Sequence, residues 1–529
     1  MHPAPNPMKR RSLVRAGVGV LCLVLLGLAV WWRANRPPAV AFGPDGELRP
    51  NILVIDIDSL SPEYLGLTRD GSPITPNIDA LTHRGVQFTS AISHSGWTLP
   101  ALGSILGGRL PVAIELQGGR PRGGRELPGI LALYGYSTAA FFGGTLPGPG
   151  SEANSRGFDL VSVEKKTGKK PPTGDVVHWL EDQAREPFFG YIHEIDLNHP
   201  WAFLQPKYPY DTPHTQAIGS DYPAIYESFQ HRLTESAARQ AMVAHYEGIL
   251  HLYDASVGEI LETLDATGVA DRTIVVLTSD HGQDFFHHTY GGHGLLYDST
   301  IRVPLVIVDP RRSGSSGRVV RTVVQGVDLA PTLLERAGIP ADQTMDGESL
   351  SSLMGPGEAT YVERPVFSLT DACHMALRAD GHKLILRDGR QRQDRNWMPA
   401  GDADGLKIPL PDFVANHGPA DVALPDCAGD ATGLANVKLH GDAPTGASPE
   451  DTLIELYDLV HDPDETRNIA LQDPSRAVGM LRVLLATRAG QSQTMAGAPR
   501  EALGPDEIRK MREQGYWGFV SPGPAIAPP

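Results

Sequence analysis

From Asn51 onward, short apolar runs alternate with polar breaks. "NILVIDID" reads as a strand whose period of two leaves Asp56 and Asp58 on one face at its C-terminal end. "SPITPNIDALTHRGVQF" predicts a helix with Thr75 as N-cap, Pro76 at the first helical position, Ile78 and Leu81 on one face, and Gly85 as its stop. "SHSGWTLPALGSILGGRLP" leads from Thr98 through Pro100 into a short helix that ends at Gly107 and Gly108, so Thr98 reads as an exposed hydroxyl at a strand-to-helix turn. "GYSTAAFFGG" and "PFFGYIHEIDLNHPW" are strands running into polar loops. A long amphipathic helix carries Tyr246, Ile249, Leu250, Tyr253, Val257, Ile260, Leu261 and Leu264 on one wide stripe, and "TIVVLTSDHG" is a buried strand that delivers Asp280 and His281. Strands alternating with helices predict an α/β fold over residues 48–350, a mostly parallel sheet sandwiched by helices.

Beyond Gly347 the texture changes. "ERPVFSL", "MALRADGHKLILRD" and "LIELYDL" predict a small antiparallel sheet, giving residues 351–518 as a C-terminal α+β subdomain. Residues 388–451, rich in Gly, Pro, Asp and Ala, read as an irregular insertion within it. "GPDEIRKMREQGYWG" predicts one more short helix, and residues 519–529 a disordered Pro-rich tail. There is no internal repeat.

The first 36 residues have a different pattern again. Lys9, Arg10, Arg11 and Arg15 precede an apolar run from Ala16 to Trp32 that closes on Trp31, Trp32 and Arg33, followed by a linker at 37–47. A basic flank, a segment of just spanning length and interfacial tryptophans predict a membrane anchor behind a short cytoplasmic tail. A cleaved signal is the alternative, because Ala39-Val40-Ala41 has the small-x-small form, and Lys9 to Arg15 resembles a twin-arginine signal. Both readings put the body of the chain outside the cytoplasm, in the periplasm or at the cell surface.

Charge agrees with export and excludes one class of partner. Of 46 Lys and Arg and 62 Asp and Glu, six basic and no acidic residues precede position 45, leaving 40 against 62 and a net of −22 for the rest. Such a body does not bind nucleic acid by electrostatics. Of three cysteines, Cys22 lies in the apolar segment. Cys373 and Cys427 are left as a disulfide tying the insertion to the C-terminal sheet, or as two buried thiols. Nothing in the sequence fixes an oligomeric state.

Asp58, Thr98, Asp280 and His281 all sit near strand ends that a parallel sheet brings to one edge, where ligands of such sheets bind. Each has a plainer reading: an Asp-x-Asp can cap the next helix, and Ser-Asp-His-Gly can be only a turn. Together, two carboxylates, an imidazole and a hydroxyl make a site for one divalent metal ion, with Ca, Mn, Mg and Zn all open.

These stretches resemble the sulfatase family of the alkaline phosphatase superfamily. "PNILVIDIDSL", "TPNIDALTHRGVQFTSA", "LGGRLP", "VLTSDHGQ", "GGHGLLYDSTIRVPLVI", "VDLAPTLLERAGI", "ELYDLVHDPDETRNIA" and "DEIRKMREQGYWG" follow the family's order, from Asn51 to Gly518. The resemblance implies an alkaline-phosphatase-like fold, a catalytic metal held by Asp58, Asp280 and His281, and Thr98 as both metal-associated group and nucleophile. "HEIDLNHPW" is similar to the family's His-x-x-Asp-x-His-x-Pro loop, with Asn198 where a histidine is usual. His193, Asp196, His199 and His293 then bind the ester or protonate its leaving group. Alternatively, Asp196, His199 and His293 hold a second metal, as in two-zinc phosphatases of the superfamily. His287 and His288 read as surface histidines.

The departures carry chemistry. Sulfatases proper place a Cys or Ser, matured to formylglycine, in a Cys-x-Pro-x-Arg setting; here the string is Thr98-Leu99-Pro100-Ala101-Leu102. Ser59 replaces the second aspartate of the usual pair, and no Gly-Lys-x-His follows the "GYSTAAF" strand. A formylglycine hydrate can shed sulfate by re-forming its aldehyde, whereas an ester of Thr98 must be released by attack at phosphorus or sulfur. The resemblance therefore implies a hydrolase or transferase acting on phosphate or sulfate esters, phosphate favoured. Superfamily members of this kind include membrane-anchored phosphoethanolamine and phosphoglycerol transferases with a threonine nucleophile. The alternatives are a sulfuric ester hydrolase of unusual nucleophile and an inactive binding protein on the same fold.

The anchor reading predicts that the full chain sediments with membranes, needs detergent for release and keeps Met1 or His2 as its N-terminus. N-terminal sequencing that begins at Phe42 would replace the anchor with a cleaved signal.

Overall fold

The structure, a computed structural model, describes Gly43 and residues 46–494 except 70, 112–113, 116–119, 122–125, 144–156, 164–171, 184–186, 195–196, 198–234, 286, 289–292, 312–315, 357–358, 372–373, 389–407 and 418–451. Several expectations fall outside the described residues: the N-terminal segment, Asp196, Asn198, His199, the Cys373–Cys427 pair, the last short helix and the tail. Among the described residues no helix is long and apolar enough to cross a membrane.

Nine strands form the main sheet: β1 Asn51–Ile57, β2 Val86–Ile92, β3 Ser137–Phe142, β4 Leu160–Val163, β5 Phe188–Glu194, β6 Thr273–Thr278, β7 Arg302–Val308, β8 Arg318–Val320 and β9 Val324–Gln325. Their order is β8-β2-β7-β6-β1-β5-β3-β4, with β9 also on β2. Every pairing is parallel except those of β7, which runs antiparallel to both β6 and β2. Two reversals restore direction, so β2 runs with β1. The C-terminal ends of β1, β2, β5 and β6 and the start of β7 therefore share one edge.

Alternation along β1 sends Ile52 and Val54 into one core layer, Leu53, Ile55 and Ile57 into the other. The first layer is covered by α2 (Thr98–Gly107), α3 (Leu127–Leu133) and α7 (Leu329–Arg336), the second by α1 (Pro76–Arg84), α4 (Thr173–Asp182) and α5 (Glu235–Ala266). Both faces are thus buried, as the near-continuous apolar run of β1 requires.

One local expectation is corrected. Thr75 is the N-cap of α1, but its hydroxyl bonds the Asp79 carboxylate at 3.0 Å and caps no helix amide. Asp254 of α5 takes that role, accepting from the amides of Asn77 at 3.0 Å and Ile78 at 2.8 Å. A carboxylate is the stronger acceptor and matches the positive end of the helix dipole.

The C-terminal sheet is antiparallel: β10 Val366–Asp371, β11 His374–Ala379, β12 His382–Asp388 and β13 Thr452–Asp458, in that order. One face packs on α8 (Leu410–His417) and α9 (Pro474–Thr494). Neither helix is in the sequence reading, and α8 lies inside the stretch read as irregular, pinned by buried Leu410 and Phe413. The other face meets Ile92, Tyr297 and Ile301 of the first unit.

That junction is also ionic. Lys383 Nζ lies 2.6 Å from Asp298, in the short helix α6 (Asp298–Ile301), and 2.6 Å from Glu465. The Lys383 and Glu465 side chains are 0% and 1% exposed, so no solvent replaces the ammonium. Replacing Lys383 with Met is expected to lower the unfolding free energy by about 3–5 kcal/mol, since it leaves buried Glu465 without its cation while Asp298 keeps Arg378 at 2.6 Å. Denaturant unfolding measures this; a negligible loss would mean that the acids reach water.

Candidate functional site

At the shared edge, three chain segments place four groups in contact. Asp58 follows β1, Asp280 and His281 follow β6, and Thr98 opens α2 a few residues after β2. Thr98 Oγ1 lies 3.3 Å from Asp58 Oδ2 and 3.3 Å from His281 Nε2. His281 Nε2 stands 3.5 Å from Asp58 Oδ1 and 3.5 Å from Asp280 Oδ2. Two ligands of one ion, each at about 2.1 Å and at a tetrahedral angle, stand about 3.4 Å apart, so these spacings are those of a coordination shell.

The backbone explains how the groups converge. Ser59 adopts a left-handed conformation, φ 64°, which turns the chain at the end of β1. Its hydroxyl donates to Asp58 at 2.8 Å, and its amide points at Asp280 Oδ1 at 3.4 Å. The His281 amide also donates to Asp280 Oδ1, at 2.9 Å. With Oδ1 committed, Asp280 Oδ2 is a buried oxygen with no hydrogen-bond partner. His281 Nδ1 lies 3.1 Å from the Gly282 carbonyl, which only accepts, so Nδ1 carries a proton and Nε2 faces the centre. An imidazole nitrogen and an unsatisfied carboxylate oxygen aimed at one point fit a divalent ion.

Electrostatics gives the same result. Burial, reinforced by the neighbouring Asp280 charge, pushes the Asp58 carboxyl up to about 6. Asp280 is also raised by burial, but His281 and His193 beside it win and hold it well below the usual carboxylate range. Two buried carboxylates that repel one another are what a cation would relieve.

Thr98 is not the exposed hydroxyl expected from sequence: it is 1% exposed. Two loops close over it. The Ser93–Trp97 segment presses so tightly on the His293–Leu295 segment that a Cβ on Gly96 would stand 2.5 Å from the Leu295 carbonyl oxygen. The His293 ring stacks on His281 with centroids 4.5 Å apart, meets Trp97 edge-on at 5.2 Å, and sets Nδ1 3.1 Å from the Gly96 carbonyl. His293 therefore covers the centre. His193, at the end of β5, is wholly buried and lies 3.9 Å from both Asp58 and Asp280.

His288 departs from its reading as a surface residue. It lies flat on Tyr297, centroids 3.8 Å apart, with Nδ1 2.8 Å from Asp284 and Nε2 3.0 Å from the Asp464 carbonyl. It links the site loop to the C-terminal unit, whereas its neighbour His287 is exposed. Asp56, Ser59 and Tyr191 were given no role from sequence. Asp56 shares the face of Asp58, which the period-two pattern showed; Tyr191 lies in an aromatic strand that reads simply as core. Leu102, at the family's arginine position, is fully buried in the first core layer.

The C-terminal sheet reaches the Ser93–Trp97 loop directly. Leu369 donates to the His94 carbonyl at 2.8 Å, Ser368 to that of Ser93 at 2.9 Å and Thr370 to that of Gly294 at 3.1 Å. His94 in turn sets Nδ1 2.6 Å from the Phe367 carbonyl.

Comparison with known proteins places this geometry. The Sulfatase family model matches residues 50–339. Arylsulfatase K of Xenopus laevis is 32% identical over 257 residues, 44% of this chain and 45% of that protein, so the match spans less than half of the relative. Arylsulfatase K of Gallus gallus is 25% identical over 531 aligned positions, 88% of this chain and 87% of that one. The crystal structure of a phosphonate monoester hydrolase of Agrobacterium radiobacter superposes with a TM-score of 0.59 at 20% identity, covering 84% of this chain and 96% of that one; at that identity it is the fold that is shared.

His94 makes stability depend on pH. Burial, the dominant influence, drives its imidazole from 6.5 down to about 4, so the folded protein keeps it neutral. As pH falls from about 6.5 to about 4, the unfolded chain takes up a proton that the folded one refuses, and stability declines by about 3 kcal/mol. Unfolding free energies of the native chain minus those of His94→Asn, measured across this range, should show that decline; a flat difference would contradict it.

Proposed function

Because the chain belongs to the Sulfatase family, we propose that it is an extracytoplasmic, metal-dependent hydrolase or transferase of phosphate or sulfate esters, with Thr98 as nucleophile and phosphate esters favoured. The observation that carries this is the position of Thr98 Oγ1, 3.3 Å from both Asp58 and His281, among groups spaced as metal ligands. Asp58, Asp280 and His281 would hold the ion. It would supply positive charge that favours ionisation of a buried hydroxyl and the approach of an anionic ester.

Thr98 Oγ1 would then attack phosphorus, its proton passing to the Asp58 carboxylate that accepts from it at 3.3 Å. The new P–O bond forms as the bond to the leaving oxygen breaks, and that oxygen takes a proton from His293 or His199. Water attacking the same phosphorus gives its proton to that histidine and breaks the bond to Thr98, which recovers its proton from Asp58 as phosphate leaves; an alcohol in place of water makes the enzyme a transferase. Threonine has no carbonyl to re-form, so release must occur at phosphorus or sulfur, and phosphorus is the chemistry to which an oxygen nucleophile beside a metal is suited. The burial of Leu102 adds to this reading, since no guanidinium stands at that position. The basic flank, apolar run and tryptophans before residue 34 support membrane attachment with the catalytic domain outside the cytoplasm. A second reading, sulfate ester hydrolysis, is favoured by the names of the arylsulfatase relatives.

Turnover of phosphate monoesters, phosphate diesters and sulfate esters by the full chain in detergent, with Ca, Mn, Mg and Zn, separates these readings. Thr98→Ala should reduce kcat by roughly 1,000-fold or more while the fold survives, since losing one hydroxyl hydrogen bond costs about 1 kcal/mol. Full activity in that variant would remove Thr98 from the chemistry. No turnover together with no bound metal would leave a binding protein.

A further inference from the structure

Two residues back along β1, a second group of metal-ligating side chains stands beside the first. Asp56 pairs in register with His193 of β5, and the two share with Asp280 a cluster whose ligand atoms all lie within 4.8 Å of one another. All three residues are wholly buried. Four polar atoms here have no hydrogen-bond partner: Asp56 Oδ1, both ring nitrogens of His193 and Asp280 Oδ2. Such atoms are rare in folded proteins, and a cluster of four implies something that the side chains alone do not supply.

Distances point to what is needed. His193 Nε2 lies 3.9 Å from Asp280 Oδ2 and 3.9 Å from Asp58 Oδ2, too far for a hydrogen bond but suited to ligands with an ion between them. The Tyr191 hydroxyl donates to Asp56 Oδ2, fixing that carboxylate while Oδ1 stays unmatched.

We infer that Asp56, His193 and Asp280 form a second divalent-cation site, with Asp280 shared between the two ions. This differs from a second metal on Asp196, His199 and His293, and it rests on the first centre being a metal site. The competing arrangement is a protonated His193 acting as the internal cation in place of a second ion.

Manganese binding to the full chain in detergent, stripped with chelator, separates these arrangements. We expect two equivalents per chain, with the spin coupling that a shared carboxylate imposes on neighbouring Mn(II) ions. Asp56→Asn, which keeps shape and removes one charge, should retain one equivalent and lose the coupling, and His193→Ala should do the same. If His193→Ala does not fold, the native stoichiometry and Asp56→Asn still decide. One equivalent in the native chain, or two equivalents retained by Asp56→Asn, overturns the second site and leaves the first intact. No bound manganese, calcium or zinc would overturn the metal centre itself.

Discussion

Everything at the active edge depends on one electrostatic constraint: Asp58 and Asp280 are brought together, out of water, at the ends of adjacent strands. The sheet requires this. β1 and β6 pair in parallel register from Asn51 with Thr273 to Asp56 with Thr278, so both chains leave the sheet at one level and their next acidic residues converge. Burial and mutual repulsion both resist two ionised carboxylates there, which is why Asp58 is pushed up to about 6 while Asp280 is held down by histidines. A cation would resolve the conflict, and the remaining groups are arranged for one. His281 turns Nε2 to the centre while Nδ1 donates to the Gly282 carbonyl, and the Ser59 hydroxyl donates to Asp58.

The second unit contributes walls rather than ligands. β10 is hydrogen-bonded to the carbonyls of Ser93, His94 and Gly294, which flank Thr98 and His293. His288, Asp298, Lys383 and Glu465 carry the junction across to the other side of the His293 loop. Thr98 opens α2, and the loop before it sets where its hydroxyl stands. Bonding that loop to a separate sheet holds the hydroxyl in place without adding charge to the centre, which is the kind of support that a preorganised site requires.

The period-two pattern of β1, the stripe on α5 and the strand before Asp280 were legible because each reports burial directly. So were Asp58, Thr98, Asp280, His281, His193 and His293, because motif order and strand-end placement agreed. What was not legible depended on partners distant in sequence. Asp254, rather than the hydroxyl of the N-cap Thr75, accepts from the first amides of α1 only because α5 packs there, a contact some 177 positions away. Thr98 reads as an exposed turn hydroxyl until the His293 loop covers it. α8 was hidden in a polar, Gly-rich stretch, whereas α9 left a usable signal: Ala477, Leu481 and Leu484 recur at helical spacing and are fully buried.

The departures from the family's pattern form a consistent set. Losing the second aspartate at Ser59 removes a negative charge from the centre; losing the arginine at Leu102 removes a positive one. If Thr98 is the attacking group, as proposed, there would be no aldehyde hydrate to orient and a guanidinium at position 102 would have less to do; the helix fills that volume with core. Thr98 carries a hydroxyl and a methyl on one carbon, which restricts χ1 and reduces the freedom of its oxygen. The hydroxyl is thereby fixed among carboxylates and imidazole by packing as much as by hydrogen bonds. If that oxygen attacks, as proposed, a hydroxyl held in this way would suit direct displacement better than aldehyde chemistry.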